Sequence, residues 1–400
     1  MNILIVHNHY KVAGGEDTVV VNEKRLLEEH GNRVVLYERD NSELDKLSLY
    51  KKVLVPLESI FSFRTFADIC RIIRLEKIDV VHVHNTFLRV SPSVYYAALK
   101  SGVPVCQTIH NFRFQCPDAL FFRDGHICED CMTRGLYSSV KHKCYHGSYI
   151  QTFICILNLK LHRSLGILKK VNFICLTEFN KNKLIGLNHG EHKLIEESKV
   201  FIKPNFVFKS DLISPNEFHQ VNMSSYYTFV GRLDITKGIY VVLEAFSKMQ
   251  DKFLVVIGDG PEKRRIEDYI QTRELKNIQL TGYLKKDSIL QYLKKTKAVI
   301  VPSLLYEGCP MSIIEAFEQG VPVIGSNIGN VASMIDAERN GILFEKGSSE
   351  RLIAAVVHFE QLELEYLKKN AYATFCEKYE AETNYQALIS IYRHIIDENI

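Results

Sequence analysis

Four hundred residues exceed the size at which one hydrophobic core keeps growing, so two domains are expected. A composition of 46% hydrophobic and 24% charged residues is ordinary for a globular enzyme, and a net charge of +3 argues against a nucleic-acid partner. No apolar run reaches the ~20 residues that span a bilayer, the best candidate, Phe153 to Leu161, being broken by Asn158 and Lys160. No basic flank precedes the first apolar run, so a signal peptide is not expected and the chain should stay on the cytoplasmic side.

The first half alternates short apolar runs with helical patterns. Ile3 to Val6 reads as a buried strand. A Gly14-Gly15 turn follows, then a helix from Val19 to His30 stopped by Gly31. These two glycines lack Cβ atoms, so they either let a phosphate or sugar approach the backbone or simply make a tight turn. Val34 to Tyr37, Asp79 to Val83, Val103 to Thr108 and Asn172 to Leu176 continue the strand series. His84 and His110 close two of these strands at their carboxyl ends, whereas His82 alternates into the sheet and should be buried and neutral.

Residues 111–147 break the pattern. Cys116, Cys128, Cys131 and Cys144 are four of the ten cysteines. A cytosolic chain disfavours disulfides, and a C-x2-C pair with two outlying cysteines has the ligand count of a tetrahedral structural zinc. Reduced buried cysteines, or a ligand set including His126, His142 or His146, are the other readings. From Cys131 to Thr177 there is no Asp or Glu, yet Arg134, Lys141, Lys143, Lys160, Arg163, Lys169 and Lys170 occur. Within that stretch Tyr149 to Leu168 is partly amphipathic. It suits the surface of an anionic membrane, or else packs on the sheet as an ordinary helix with a solvated basic face.

Phe201 to Phe206 reads as a hinge, and residues 209–224 as a polar loop. Strands then restart at Tyr226 to Val230, Phe253 to Ile257, Ile278 to Leu280, Ala298 to Val301 and Val321 to Gly325, and the chain turns helical from about Leu362. Strands alternating with helices give an α/β chain of two doubly wound, Rossmann-like parallel sheets. Such sheets bind ligands at the carboxyl ends of their strands, so two of them facing each other make a cleft. Three segments of the second half sit at such ends. Gly231-Arg232-Leu233-Asp234-Ile235-Thr236-Lys237-Gly238 offers two cations for a diphosphate. Gly258-Asp259-Gly260-Pro261 is a turn. Glu307-Gly308-Cys309-Pro310-Met311-Ser312 leads into a helix containing Glu315, with Pro310 as its first residue. The N–H groups of Met311 and Ser312 and the helix dipole make an anion site there, flanked by two carboxylates that can accept from hydroxyls. A phosphate with a hydroxyl-rich group on each side is a nucleotide sugar.

In order and spacing these segments resemble the nucleotide-sugar glycosyltransferases of the large retaining family 4, which have the GT-B fold. The resemblance rests on the pair Glu307 and Glu315 (E-x7-E), the G-R-L-x3-K-G loop and the turn at Gly258. It implies an acceptor-side domain over 1–204, a donor domain over 205–375, and a C-terminal helix over 376–400 that crosses back to the first domain. It implies donor contacts from Gly14, Gly15, Arg232, Lys237, Gly258, Pro310, Met311, Ser312 and Glu315. Glu307 would hold hydroxyls of the donor sugar, Glu315 the ribose, and His110 would stand beside the sugar. Some family members show a similar cysteine insert, and bacterial relatives often extend lipid-linked saccharides, which favours contact with the inner membrane face. Many relatives have Gly where Pro310 stands, so one backbone donor to phosphate is missing here.

Positive charge at Arg232 and Lys237 with the helix start at Met311 would stabilise the departing diphosphate in place of a divalent metal. No Asp-x-Asp follows a strand, which agrees with metal-independent transfer and no catalytic cofactor. Two other functions compete. A sugar-nucleotide epimerase shares the two-domain fold, but the G-R-L-x3-K-G loop fits it less well. A non-catalytic partner subunit would not need Glu307, Glu315, Arg232 and Lys237 intact. The base, the donor sugar and the acceptor are not encoded by these segments.

Overall fold

The computed structural model describes residues 1–10, 14–46, 48–188, 193–210 and 226–399. The polar loop expected over 209–224 lies, beyond position 210, outside the described residues. The chain divides into two compact units. One comprises Met1–Phe121, Cys128–Asn205 and Asn384–Ile400, and the other Phe122–Ile127 and Phe206–Thr383.

In chain order the strands are β1 (Asn2–His9), β2 (Arg33–Asp40), β3 (Val80–Val83), β4 (Val105–Ile109), β5 (Phe122–Arg123), β6 (His126–Ile127), β7 (Asn172–Cys175), β8 (Val200–Ile202), β9 (Tyr226–Val230), β10 (Phe253–Ile257), β11 (Ile278–Gly282), β12 (Thr296–Val301), β13 (Val323–Ser326) and β14 (Gly341–Phe344). The first sheet runs β2-β1-β3-β4-β7-β8 and the second β11-β10-β9-β12-β13-β14. Every pairing within these two sheets is parallel. The doubly wound α/β class expected from the alternating pattern is therefore found twice.

Continuous apolar strands suit a parallel sheet because helices cover both of its faces. Ile3, Leu4, Ile5 and Val6 are all fully buried. Period-two alternation sends Leu4 and Val6 to one core with Val81, Val83 and Val105. Ile3 and Ile5 go to the opposite core, with Val80, Cys106 and Ile174. Leu388, Ile389, Tyr392 and Ile395 of the last helix, Ala381–Asp397, cover that second face. The second unit has its own core around Phe229, Val242, Phe246, Val256 and Ile300. Among the described residues no helix is long and apolar enough to cross a membrane.

Several local expectations need correction. The first helix is Gly15–Glu29, not Val19 to His30: Gly14 is its N-cap, and the Asp17 carboxylate accepts the Gly14 N–H at 2.7 Å. Gly14 and Gly15 thus form a helix start rather than a free-standing turn. Pro310 is likewise the N-cap, with ψ 114°, and the helix is Met311–Glu318. Phe201 and Ile202, read as hinge, belong to β8, and β14 was not anticipated at all. Both are edge strands of three or four residues, too short to show a period.

Candidate active site

The second sheet has the strand order of a dinucleotide-binding fold, and its direction of winding reverses between β9 and β12. Ligands bind such sheets in the crevice at that point, outside the carboxyl ends of the strands. The loop after β9 carries Arg232 and Lys237. The loop after β12 carries Glu307 and leads into Met311–Glu318. The two sequence segments therefore flank the same crevice.

Backbone packing fixes the loops there. The Gly231 N–H donates to the Ile257 carbonyl at 3.0 Å, and the Leu233 N–H to the Asp259 carbonyl at 2.9 Å. A Cβ on Gly258, whose φ is +153°, would lie 1.9 Å from the Gly231 carbonyl oxygen. On Gly238, at φ +73°, it would lie 1.9 Å from the Pro302 oxygen. These glycines are needed because three loop backbones touch one another. The Leu304 N–H closes the set by donating to the Thr236 carbonyl at 2.9 Å.

Side chains then meet across the crevice. The Lys237 ammonium donates to both oxygens of Glu307 at 2.7 Å, and the Ser303 hydroxyl donates to Oε1 at 2.6 Å. The amide of Asn330 donates to the Glu307 carbonyl at 2.6 Å and also to the Gly308 carbonyl, holding the turn before the helix. Sequence reasoning missed Ser303 and Asn330. Arg232 is exposed and has no hydrogen-bond partner among the described residues. The Met311 and Ser312 amides at the helix start have none among them either. Glu315 lies one turn further in, where burial pushes its carboxyl up to about 7, against the pull of Lys286 and with a small push from Glu318.

In the first unit, Gly14 has φ −134° and open space around a Cβ, so its backbone imposes no need for glycine. Asp17, which holds the Gly14 amide, also accepts from His7 Nε2 at 2.9 Å and His9 Nδ1 at 2.8 Å. Burial lowers His9, but Glu38 and Asp17 on its two nitrogens outweigh that and hold it above its ordinary value. His82 is fully buried, as the alternation implied. His110 directly follows β4, and its Nε2 lies 3.0 Å from His84 Nδ1. Burial first, then His84, keeps it well below the usual histidine range.

Two groups among the described residues bring three metal-ligand atoms within 4.8 Å, His7/His9/Asp17 and Glu23/His82/His84. Neither contains a cysteine. Within the insert Cys116 lies against Cys131, and Cys144 and Cys128 are near enough to Cys131 to raise its thiol above the ordinary value. Arg163 also departs from expectation: its guanidinium donates to the Phe114 carbonyl at 2.5 Å and is half-buried, so it is no surface cation.

Residues 13–126 match the family model described as Glycosyltransferase Family 4, and residues 215–374 the model described as Glycosyl transferases group 1. The structure of the Anabaena protein HepE in complex with UDP-glucose aligns with a TM-score of 0.64 at 15% identity, over 100% of this chain and 99% of that one. The chain is a glycosyltransferase of the GT-B type, family 4-like. An uncharacterized glycosyltransferase of Methanocaldococcus jannaschii is 23% identical to the transferase over 411 residues, 99% of each chain. A UDP-Gal:alpha-D-GlcNAc-diphosphoundecaprenol alpha-1,3-galactosyltransferase of Escherichia coli is 26% identical over 313 residues, 74% of this chain and 70% of the relative. The two family models between them match residues of both units.

Proposed function

We propose that the transferase moves a hexose from a nucleoside-diphosphate sugar to a saccharide or lipid-linked saccharide in cell-surface polysaccharide synthesis, with retention of anomeric configuration. The observation that carries this is the crevice itself, where Lys237 pairs with Glu307, the loop after β9 also carries Arg232, and the helix that contains Glu315 starts with two amides that have no partner among the described residues. Arg232, Lys237 and the Met311 and Ser312 amides take the diphosphate, with Gly258 and Pro310 shaping the loops around it. Glu315 accepts from the ribose, and Glu307 from hydroxyls of the sugar. His110 would stand beside that sugar, and Gly14 and Gly15 would contact the donor. The bond from the anomeric carbon to the phosphate oxygen breaks, and the acceptor oxygen bonds to the same face. The acceptor proton passes to the departing phosphate. The cations carry the leaving-group charge, so no divalent metal is required. Uridine diphosphate is the first donor nucleotide to test, since it is the one named for the Escherichia coli relative and bound in the Anabaena structure. Incubation of a UDP-sugar with acceptor and a metal chelator should give a product of retained configuration; inversion, or activity restored only by magnesium, would contradict the reading.

A lipid-linked acceptor fits a second feature. The helix Tyr149–Ser164 and the residue after it expose Ile150, Phe153, Leu157, Leu161 and Leu165, spaced by three or four along one face. Lys143 caps the Tyr149 ring at 4.5 Å, Lys160 caps Tyr137 at 4.0 Å, and Lys169 and Lys170 are exposed nearby. Apolar side chains ringed by lysines suit an anionic membrane surface on the cytoplasmic side. For the insert we propose a structural zinc on Cys116, Cys128, Cys131 and Cys144, which would have to draw together sulfurs that do not form a three-ligand group within 4.8 Å among the described residues. Its ligand count and its scarcity of regular structure, a two-residue hairpin and helices of four and five residues, favour a metal staple.

A further inference from the structure

We propose that Glu23 and His84 are positioning residues that hold the His110 imidazole in one tautomer, with Nε2 protonated and Nδ1 left as an acceptor for a donor-sugar hydroxyl. The role of Nδ1 rests on the reading of His110 given above; the tautomer does not.

Glu23 occupies a core position. On the helix Gly15–Glu29 the buried face is Val19, Val20, Glu23, Leu26 and Leu27, and the Glu23 side chain is fully buried. One carboxylate oxygen, Oε2, accepts from the equally buried Lys203 at 3.0 Å. Burial alone would push the carboxyl up, but the Lys203 ammonium, the largest opposing influence, holds it well below the usual carboxylate range, so Glu23 is ionised. The second oxygen, Oε1, faces two imidazoles. His82 Nδ1 is 2.8 Å away and His84 Nε2 is 3.2 Å away.

His82 has further partners, the Tyr392 hydroxyl at Nδ1 and the Thr108 hydroxyl at Nε2. Among the described residues His84 Nε2 faces Glu23 and its Nδ1 faces His110. Its contact with Glu23 is bent, so neither Glu23 Oε1 nor His84 Nε2 has an aligned hydrogen bond. The sign of the contact still decides the proton. A bare Nε2 would set a lone pair 3.2 Å from a carboxylate oxygen, whereas a protonated Nε2 meets it favourably. Burial, then His82, holds His84 near 4, so it is neutral and carries that single proton. Its Nδ1 must then accept, and His110 Nε2, 3.0 Å away, must donate. His110 Nδ1 is thereby left without a proton, and it has no partner among the described residues.

This arrangement suits the chemistry. Transfer with retention builds positive charge at the anomeric carbon, and a cationic imidazolium nearby would oppose it. A neutral ring with a bare nitrogen binds a hydroxyl without adding charge.

Nitrogen-15 NMR of the histidine-labelled full chain tests the inference. The His110 resonance, assigned by its loss in His110→Ala, should report a protonated Nε2 and a bare Nδ1 at neutral pH. Glu23→Gln should reverse this: Lys203 holds the amide oxygen, so the amide N–H faces His84 and flips both tautomers. Glu23→Gln with Lys203→Met frees the amide to turn its oxygen to His84 and should restore the wild-type pattern. A protonated Nδ1 on His110 in the wild type, or a single variant that leaves the tautomer unchanged, would overturn the proposal. The wild-type measurement stands even if a variant fails to fold. Unchanged sugar transfer in His110→Ala would instead sink the donor contact and leave the tautomer result intact.

Discussion

Lys237 and Glu307 form an ion pair in which the ammonium touches both carboxylate oxygens. The cation is thereby aimed into the crevice. Lys237→Ala should weaken nucleoside-diphosphate binding about ten- to hundredfold, the loss of one charge-assisted contact of roughly 1.5–3 kcal/mol. Glu307→Gln should leave free diphosphate binding nearly intact and lower sugar transfer, which calorimetry and a turnover assay separate. Glu315 gives a pH signature. Its folded-state value of about 7 exceeds the ordinary 4.5, so its contribution to stability is present at low pH and is lost as pH rises through that window. Melting temperature should therefore fall from pH 5 to 8 more steeply in the wild type than in Glu315→Gln. Over the same range nucleotide affinity should rise in the wild type relative to the variant, because the ionised carboxylate accepts from both ribose hydroxyls. Parallel pH profiles for the two proteins would contradict the ribose assignment.

At the scale of elements, the crevice is a contact between loop backbones. Gly258→Ala would put a methyl group on the Gly231 carbonyl and force the loops after β9 and β10 apart. A loss of about 1–3 kcal/mol in stability is expected, together with weaker nucleotide binding. Unchanged thermal unfolding and affinity would refute the close approach. The same scale shows what the sequence could reveal. The boundaries of β9 and β10 are legible to the residue, because each is a continuous apolar run closed by glycine. β8 and β14 are not, because edge strands of three or four residues carry no period. Lys237, Glu307, Met311 and Glu315 were visible as a spaced pattern. Ser303 and Asn330 were not, since they act through a loop whose path only the fold defines. Glu23 could have been found: a carboxylate at the centre of an apolar helical stripe marks a buried charge needing a partner.

For the whole molecule, the exposed apolar face of Tyr149–Ser164 and its lysines should draw the protein to vesicles containing anionic lipid, less so at high salt. Replacing Lys143, Lys160, Lys169 and Lys170 should weaken co-sedimentation, each contributing about 1 kcal/mol at the surface. Sedimentation unaffected by charge or salt would remove the membrane contact and leave the transferase reading standing. Elemental analysis of protein purified without chelators should find about one zinc per chain, as a four-thiolate site holds. Finding none would remove the metal from the insert. The central claim, that the crevice between β9 and β12 holds the donor diphosphate, is tested most directly by calorimetric titration of UDP, GDP and ADP against the wild type and the Arg232→Ala/Lys237→Ala variant. The account predicts that at least one diphosphate binds the wild type and binds the folded variant at least tenfold more weakly; equal affinity in both proteins, or no binding of any of the three to the wild type, would contradict it.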